Sequence, residues 1–119
     1  MSADRIAANE VLARLAETIT ARAKADPSKS YVAKLMAKAP DAALKKVGEE
    51  AAEFIMACKD AELEASADDR DRVVGEADDV WFHMLVALSR CGLSGTDVLA
   101  ELARREGLSG IDEKASRPQ

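Results

Sequence analysis

Three long stretches of this chain repeat apolar residues at the three- and four-residue spacing of a helix, and none alternates convincingly as a strand does. The first carries Ile6, Val11, Leu12, Leu15 and Ile19, and predicts a helix from about Asp4 to Lys24, closed by Asp26-Pro27-Ser28 because proline disfavours helix in the residue before it. The second carries Leu44, Val47, Ala51, Phe54, Ile55 and Cys58, and predicts a helix from about Pro40 to Leu63. The third carries Val73, Val74, Ala77, Val80, Trp81, Met84, Leu85 and Leu88 between about Asp69 and Cys91. Its stripe is wide, which predicts burial on more than one side. Hydrophobic residues make up 48% of the chain and aromatics only 3%, so the apolar content is mostly Ala, Leu and Val. Ala and Leu are strong helix formers, and bulky strand formers are scarce.

Shorter elements complete an all-α bundle of four to five helices. Ser30-Tyr31-Val32-Ala33-Lys34-Leu35-Met36 reads as a brief helix or ordered turn, broken by Ala39-Pro40-Asp41. Residues 64–71 are polar and acidic and should form a connection. Gly92 suits a helix C-terminal cap, and Ser94 with Asp97 resembles a capping box opening a last helix from Gly95 to Glu106, ended by Gly107. One domain over residues 1–107 and a polar tail over 108–119 are expected from the length of 119 residues. Gly48 inside the second long helix costs roughly 1 kcal/mol against Ala. Close approach of another helix is the favoured reason for it, ligand access to the backbone the alternative.

The net charge of -5 carries no basic stripe for nucleic acid, and the apolar runs are too short to span a membrane. Cys58 and Cys91 stand apart from any CxxC and read as buried free thiols, so a cytoplasmic location is expected.

The acids carry the chemistry. Glu50 and Glu53 are three apart on one helix, and Glu76 and Asp79 are three apart on the next. Residues so spaced are neighbours on a helix, about 5–6 Å apart at Cβ. Both pairs flank the apolar stripe, and Glu49 lies a little further round. Two helices joined by a short connection pack antiparallel, so the pairs can converge. Converging carboxylates repel unless a cation sits among them or some keep their protons. Oxygen ligands of this kind select Mg²⁺ or Mn²⁺, which recruit phosphates. Taken singly, each acid is more simply a solvated face. His83, the one histidine, lies on the same edge; a buried, hydrogen-bonded role is favoured over metal ligation. Trp81 and Tyr31 read as packing residues, though Tyr31 could also stack on a base.

Glu50-Ala-Ala-Glu53, 22 intervening residues and Glu76-Ala-Asp-Asp79 together resemble the ExxE…ExxD signature of the all-α, MazG-like NTP pyrophosphohydrolases. Lys45-Lys46-Val47-Gly48-Glu49-Glu50-Ala51 is similar to the KKVGEEA motif of the phosphoribosyl-ATP pyrophosphatases, and residues 30–35 are similar to their SYTAKL segment. Residues 76–86 resemble their EAxDLxYHLLV, with Arg22, Asp26-Pro27 and Leu102-Ala103-Arg104-Arg105 also in keeping. Val32, Trp81-Phe82 and Ala39-Pro40 depart from the usual residues without touching the four acids.

The resemblance implies Mg²⁺-dependent conversion of phosphoribosyl-ATP to phosphoribosyl-AMP and pyrophosphate, a step of histidine biosynthesis, in a homodimer with its site near the subunit boundary. It implies that Glu50, Glu53, Glu76 and Asp79 hold the metal and that Glu49 is an outer ligand or the base acting on water. It makes Lys46, Lys34 and Arg22 candidate phosphate contacts and Tyr31 a candidate substrate contact. A general nucleoside triphosphate pyrophosphohydrolase and a non-catalytic helical dimerisation module are the alternatives.

Overall fold

A computed structural model describes residues 10–37, 41–63 and 66–106. Within them the chain is all-α, with α1 Val11–Arg22, α2 Tyr31–Ala37, α3 Ala42–Leu63, α4 Ala67–Arg90 and α5 Gly95–Arg105. Ile6, the expected first turns of α1, Pro40, Gly107 and the 108–119 tail lie outside the described residues.

The frame is the α3–α4 hairpin, whose contact is the most extensive in the chain. Its register follows from three facing pairs. Arg72 meets Asp60 at 2.8 Å, the Glu76 carboxyl meets that of Glu53, and the Asp79 carboxylate acts on that of Glu50. One number falls as the other rises, so the helices run antiparallel, as a short connection demands.

The start of α4 differs from expectation. It begins at Ala67, not Asp69, because Ser66 and Asp69 form a capping box. The Asp69 N–H donates to Ser66 Oγ at 3.1 Å, and the Asp69 carboxylate accepts from the Ser66 N–H at 3.1 Å. That exchange satisfies two helix-end donors, and so the acidic stretch expected as connection is in part the first turn of the helix. At the far end Gly92 takes φ +73, the left-handed conformation that closes a helix, as expected. Asp97 accepts from the Ser94 N–H at 2.9 Å and opens α5. A Cβ on Gly95 would stand 2.8 Å from Leu85 Cδ2, so α5 starts in a space against α4 that a glycine fits.

The core gathers Ile19 of α1, Val32 and Leu35 of α2, Ala43 of α3, and Leu85 and Val86 of α4. All lie toward one end of the hairpin. Among the described residues no third layer covers the other end, and this overturns part of the expected apolar stripes. Ile55 and Val74 are exposed there, Val74 at 68%; Leu44 beside Ala43 and Trp81 near Leu85 are exposed on faces turned away from the core, Trp81 at 62%. Gly48 meets no other helix of its own chain: among the described residues a Cβ there would find nothing within 4 Å. Cys91 is exposed, not buried, because it sits at the α4 C-terminus; Cys58 is half-buried, and both thiols are free. Among the described residues no helix is long and apolar enough to cross a membrane.

Candidate active site

The acids meet in the middle of the hairpin. One carboxylate oxygen each from Glu50, Glu76 and Asp79 lies within 4.8 Å of the others. Glu53 borders the group without entering it: its charge raises the pKa of both Glu50 and Glu76, but the oxygens that converge within 4.8 Å come from the other three acids. The four arise from two helical repeats of three residues, brought face to face by the antiparallel register.

The electrostatics of this arrangement are unfavourable to full ionisation. Glu50 has its pKa pushed above the ordinary value by burial, by the charges of Glu53 and Asp79 and by a hydrogen bond with Glu53; the nearby His83 opposes this. Glu76 is raised by burial, by the charge of Glu53 and a hydrogen bond with it, and by the charges of Asp79 and Glu50. Oε2 of Glu50 and Oε2 of Glu76 are shielded from solvent without a hydrogen-bond partner. A buried, unpaired carboxylate oxygen is costly unless it meets a proton or a cation. All the donors are oxygen, which suits a hard divalent ion.

Glu49 stands apart from this group. It is exposed, with its carboxylate 3.4 Å from Lys46 Nζ and 3.9 Å from Lys45 Nζ. Lys46 has its pKa raised by its hydrogen bond to Glu49 and by that residue's charge, and further by Tyr31 and Glu50. Lys34 is exposed on α2 and Arg22 is exposed on the last turn of α1; among the described residues neither forms an ion pair with the acids.

His83 is the one buried polar residue in the described chain, 6% exposed. Its Nδ1 is 2.7 Å from the Asp79 carbonyl oxygen and its Nε2 is 2.8 Å from the Tyr31 hydroxyl. Both ring nitrogens are therefore engaged, in keeping with the hydrogen-bonded role and leaving none for a metal. Tyr31 also stacks on Phe82, with ring centroids 6.2 Å apart. No local sequence pattern signals the Tyr31–His83 pair, because 52 positions separate its members. Trp81 was expected to pack, yet it lines an open apolar groove with Leu12, Met84, Val98 and Leu102. A larger adjoining cavity of about 890 Å³ reaches from Val11 and Trp81 to Asp79.

The sequence model of the family "Phosphoribosyl-ATP pyrophosphohydrolase" matches residues 12–106. The phosphoribosyl-ATP pyrophosphatase of Bordetella parapertussis is 54% identical over 116 residues, covering 95% of this chain and 95% of that protein. The proteins of the same name from Bordetella avium and Azoarcus sp. are 55% identical over 112 residues and 56% over 108. They cover 92% and 91% of this chain, and 90% and 94% of their own lengths. The matched span contains every acid of the α3–α4 cluster, and the chain belongs to the phosphoribosyl-ATP pyrophosphohydrolase family.

Proposed function

We propose that this chain hydrolyses phosphoribosyl-ATP to phosphoribosyl-AMP and pyrophosphate, with Mg²⁺, or Mn²⁺ in its place, held by Glu50, Glu53, Glu76 and Asp79. The observation that carries the metal assignment is the meeting of Glu50, Glu76 and Asp79 carboxylate oxygens within 4.8 Å, with Glu50 Oε2 and Glu76 Oε2 shielded and unpartnered, in a chain of this family. The donor set fits a hard cation in charge and in ligand type. When bound, such an ion supplies charge neutralisation at phosphate oxygens and makes water more acidic.

The chain's own residues supply the rest. Water adds to phosphorus at the α–β phosphoanhydride, and the bridging oxygen departs with pyrophosphate. Glu50, with a pKa raised toward the working range, and Glu49, at the rim, are the acids placed to take the proton of that water. Lys46 stands one turn before Glu50 and offers its ammonium to phosphate oxygens, with Lys34 and Arg22 as exposed cations for the remainder. Side-by-side assays of phosphoribosyl-ATP, dUTP and dCTP, with and without Mg²⁺, test the assignment. Preferential, Mg²⁺-dependent pyrophosphate release from phosphoribosyl-ATP is expected. Equal turnover of all three would make the chain a general nucleotide pyrophosphohydrolase, and no turnover of any would leave a non-catalytic helical module.

The functional unit in this reading is a homodimer. Trp81, Met84, Val98 and Leu102 line one open apolar groove, and Leu44, Gly48 and Ile55 share an uncovered face of α3. Contiguous exposed apolar surface of this kind marks an interaction site. The groove adjoins the cavity that reaches Asp79, so a second copy seated there would border the acids. Two free thiols suit a reducing cytoplasm.

A further inference from the structure

We propose that His83 is a positioning residue: by accepting the Tyr31 O–H proton it leaves the Tyr31 hydroxyl oxygen as an acceptor beside the acid site, suited to a ribose hydroxyl of the substrate and not to its phosphates. The proposal rests on the pyrophosphohydrolase reading above and extends it to the sugar.

The direction of each hydrogen bond follows from the chemistry of its partners. The Asp79 carbonyl can only accept, so the proton at the 2.7 Å contact belongs to His83 Nδ1. In the neutral ring Nε2 then carries a lone pair, and the Tyr31 hydroxyl 2.8 Å away must donate into it. With its one proton committed inward, the hydroxyl offers only lone pairs outward. Phosphate oxygens are acceptors and gain nothing from it. A sugar hydroxyl is a donor and does.

The location fits that role. Tyr31 is 46% exposed although His83 is buried, so the pair joins the interior to the open surface. The hydroxyl is tied through the His83 ring to the backbone of Asp79, whose carboxylate belongs to the acid cluster, and this sets it beside that cluster. Edge-to-face contact with His83, at a centroid distance of 5.7 Å, and stacking on Phe82 fix the ring. A second pin, from Arg90 to the Met36 carbonyl at 3.1 Å, holds the other end of α2 on α4. The tyrosine is thus held in direction as well as place, while Lys46 remains for the phosphates.

Two measurements test the proposal. His83 is the single histidine of the chain, so its ring ¹⁵N resonances in the full-length protein report one tautomer without ambiguity. The Nδ1-protonated form is expected, with the Nε2 resonance moving in Tyr31→Phe; an Nε2-protonated ring would overturn the proposal. Steady-state hydrolysis of phosphoribosyl-ATP with Mg²⁺ is the second. Loss of one hydrogen bond corresponds to roughly a 3- to 10-fold effect. Tyr31→Phe and His83→Leu should each raise KM by about that much, with kcat within about twofold. The double variant should be no worse than either single one, and His83→Gln, whose amide oxygen accepts, should restore KM. Unchanged KM in both single variants, or effects that multiply in the double variant, would overturn it. Should His83→Leu fail to fold, Tyr31→Phe, His83→Gln and the tautomer decide by the same criteria. Failure of the wild-type protein to release pyrophosphate would sink the activity assignment instead, and leaves the tautomer measurement standing.

Discussion

Glu50 and Glu76 belong to different helices, yet a carboxylate oxygen of one lies within 4.8 Å of one of the other, and each has an Oε2 shielded from solvent with no hydrogen-bond partner. The hairpin therefore carries an electrostatic cost of its own making. Only a proton or a cation relieves it.

Removing one charge should relieve it too. Glu50→Gln keeps the shape of the side chain and deletes a charge repelled by Glu53 and Asp79. The metal-free variant should melt higher than the metal-free wild type, on the order of a few degrees in Tm. Its pyrophosphate release should fall by more than the ~10–100-fold that loss of an outer-shell partner costs. Calorimetric melting in chelator, paired with activity in Mg²⁺, checks both halves.

The same pair fixes a pH dependence. Glu50 and Glu76 have folded-state pKa values raised above the ordinary 4.5, so the folded chain binds these protons more tightly than the unfolded chain. Their contribution to stability is full below 4.5 and is lost as pH rises through the raised values. Melting scans of metal-free protein from pH 4 upward should show this decline against Glu50→Gln/Glu76→Gln, and Mg²⁺ should flatten it above the raised values. A wild-type profile parallel to that of the double variant would contradict it.

Ile19 is 2% exposed and packs among Val32, Leu35, Leu85 and Val86, so it ties α1 to α2 and α4. Ile19→Ala should cost about 2–5 kcal/mol in urea unfolding. Ser66→Ala removes the cap of α4 and should cost about 0.5–2 kcal/mol by the same measurement.

Gly48 gives a prediction whose sign is informative. Within one chain nothing obstructs a Cβ there, so Gly48→Ala in an isolated monomer should stabilise by about 1 kcal/mol through helix propensity. If a second copy packs closely on this face, as proposed, the substitution should weaken association instead. Leu102→Glu, in the open groove, should likewise shift the protein toward monomer in light-scattering chromatography.

Helical periodicity is enough to locate the three long helices and the spacing of the acid pairs, because both are set within a few turns of one helix; the last helix rests on its capping pattern, and residues 30–36 read as either a brief helix or an ordered turn. Periodicity is not enough to say which apolar residues are covered. Leu44, Ile55 and Trp81 follow the helical period as faithfully as Leu85 does, and only the placement of α1, α2 and α5 separates them. The Ser66–Asp69 cap was readable, since the same spacing was recognised at Ser94 and Asp97. The acidic composition around it pointed to a loop instead. Glu49 and Glu50 are adjacent in sequence, but about 100° apart on the helix, so one faces the lysines and the other the acids. The Tyr31–His83 bond had no signal at all, because it depends on where α2 lies.

Calorimetric titration of metal-free protein with Mn²⁺ tests the central claim most directly. Saturable binding by the wild type, lost in Glu76→Gln and in Asp79→Asn while both variants stay folded, is the predicted result. Absence of binding by the wild type, or equal binding by all three, would contradict a metal site between α3 and α4.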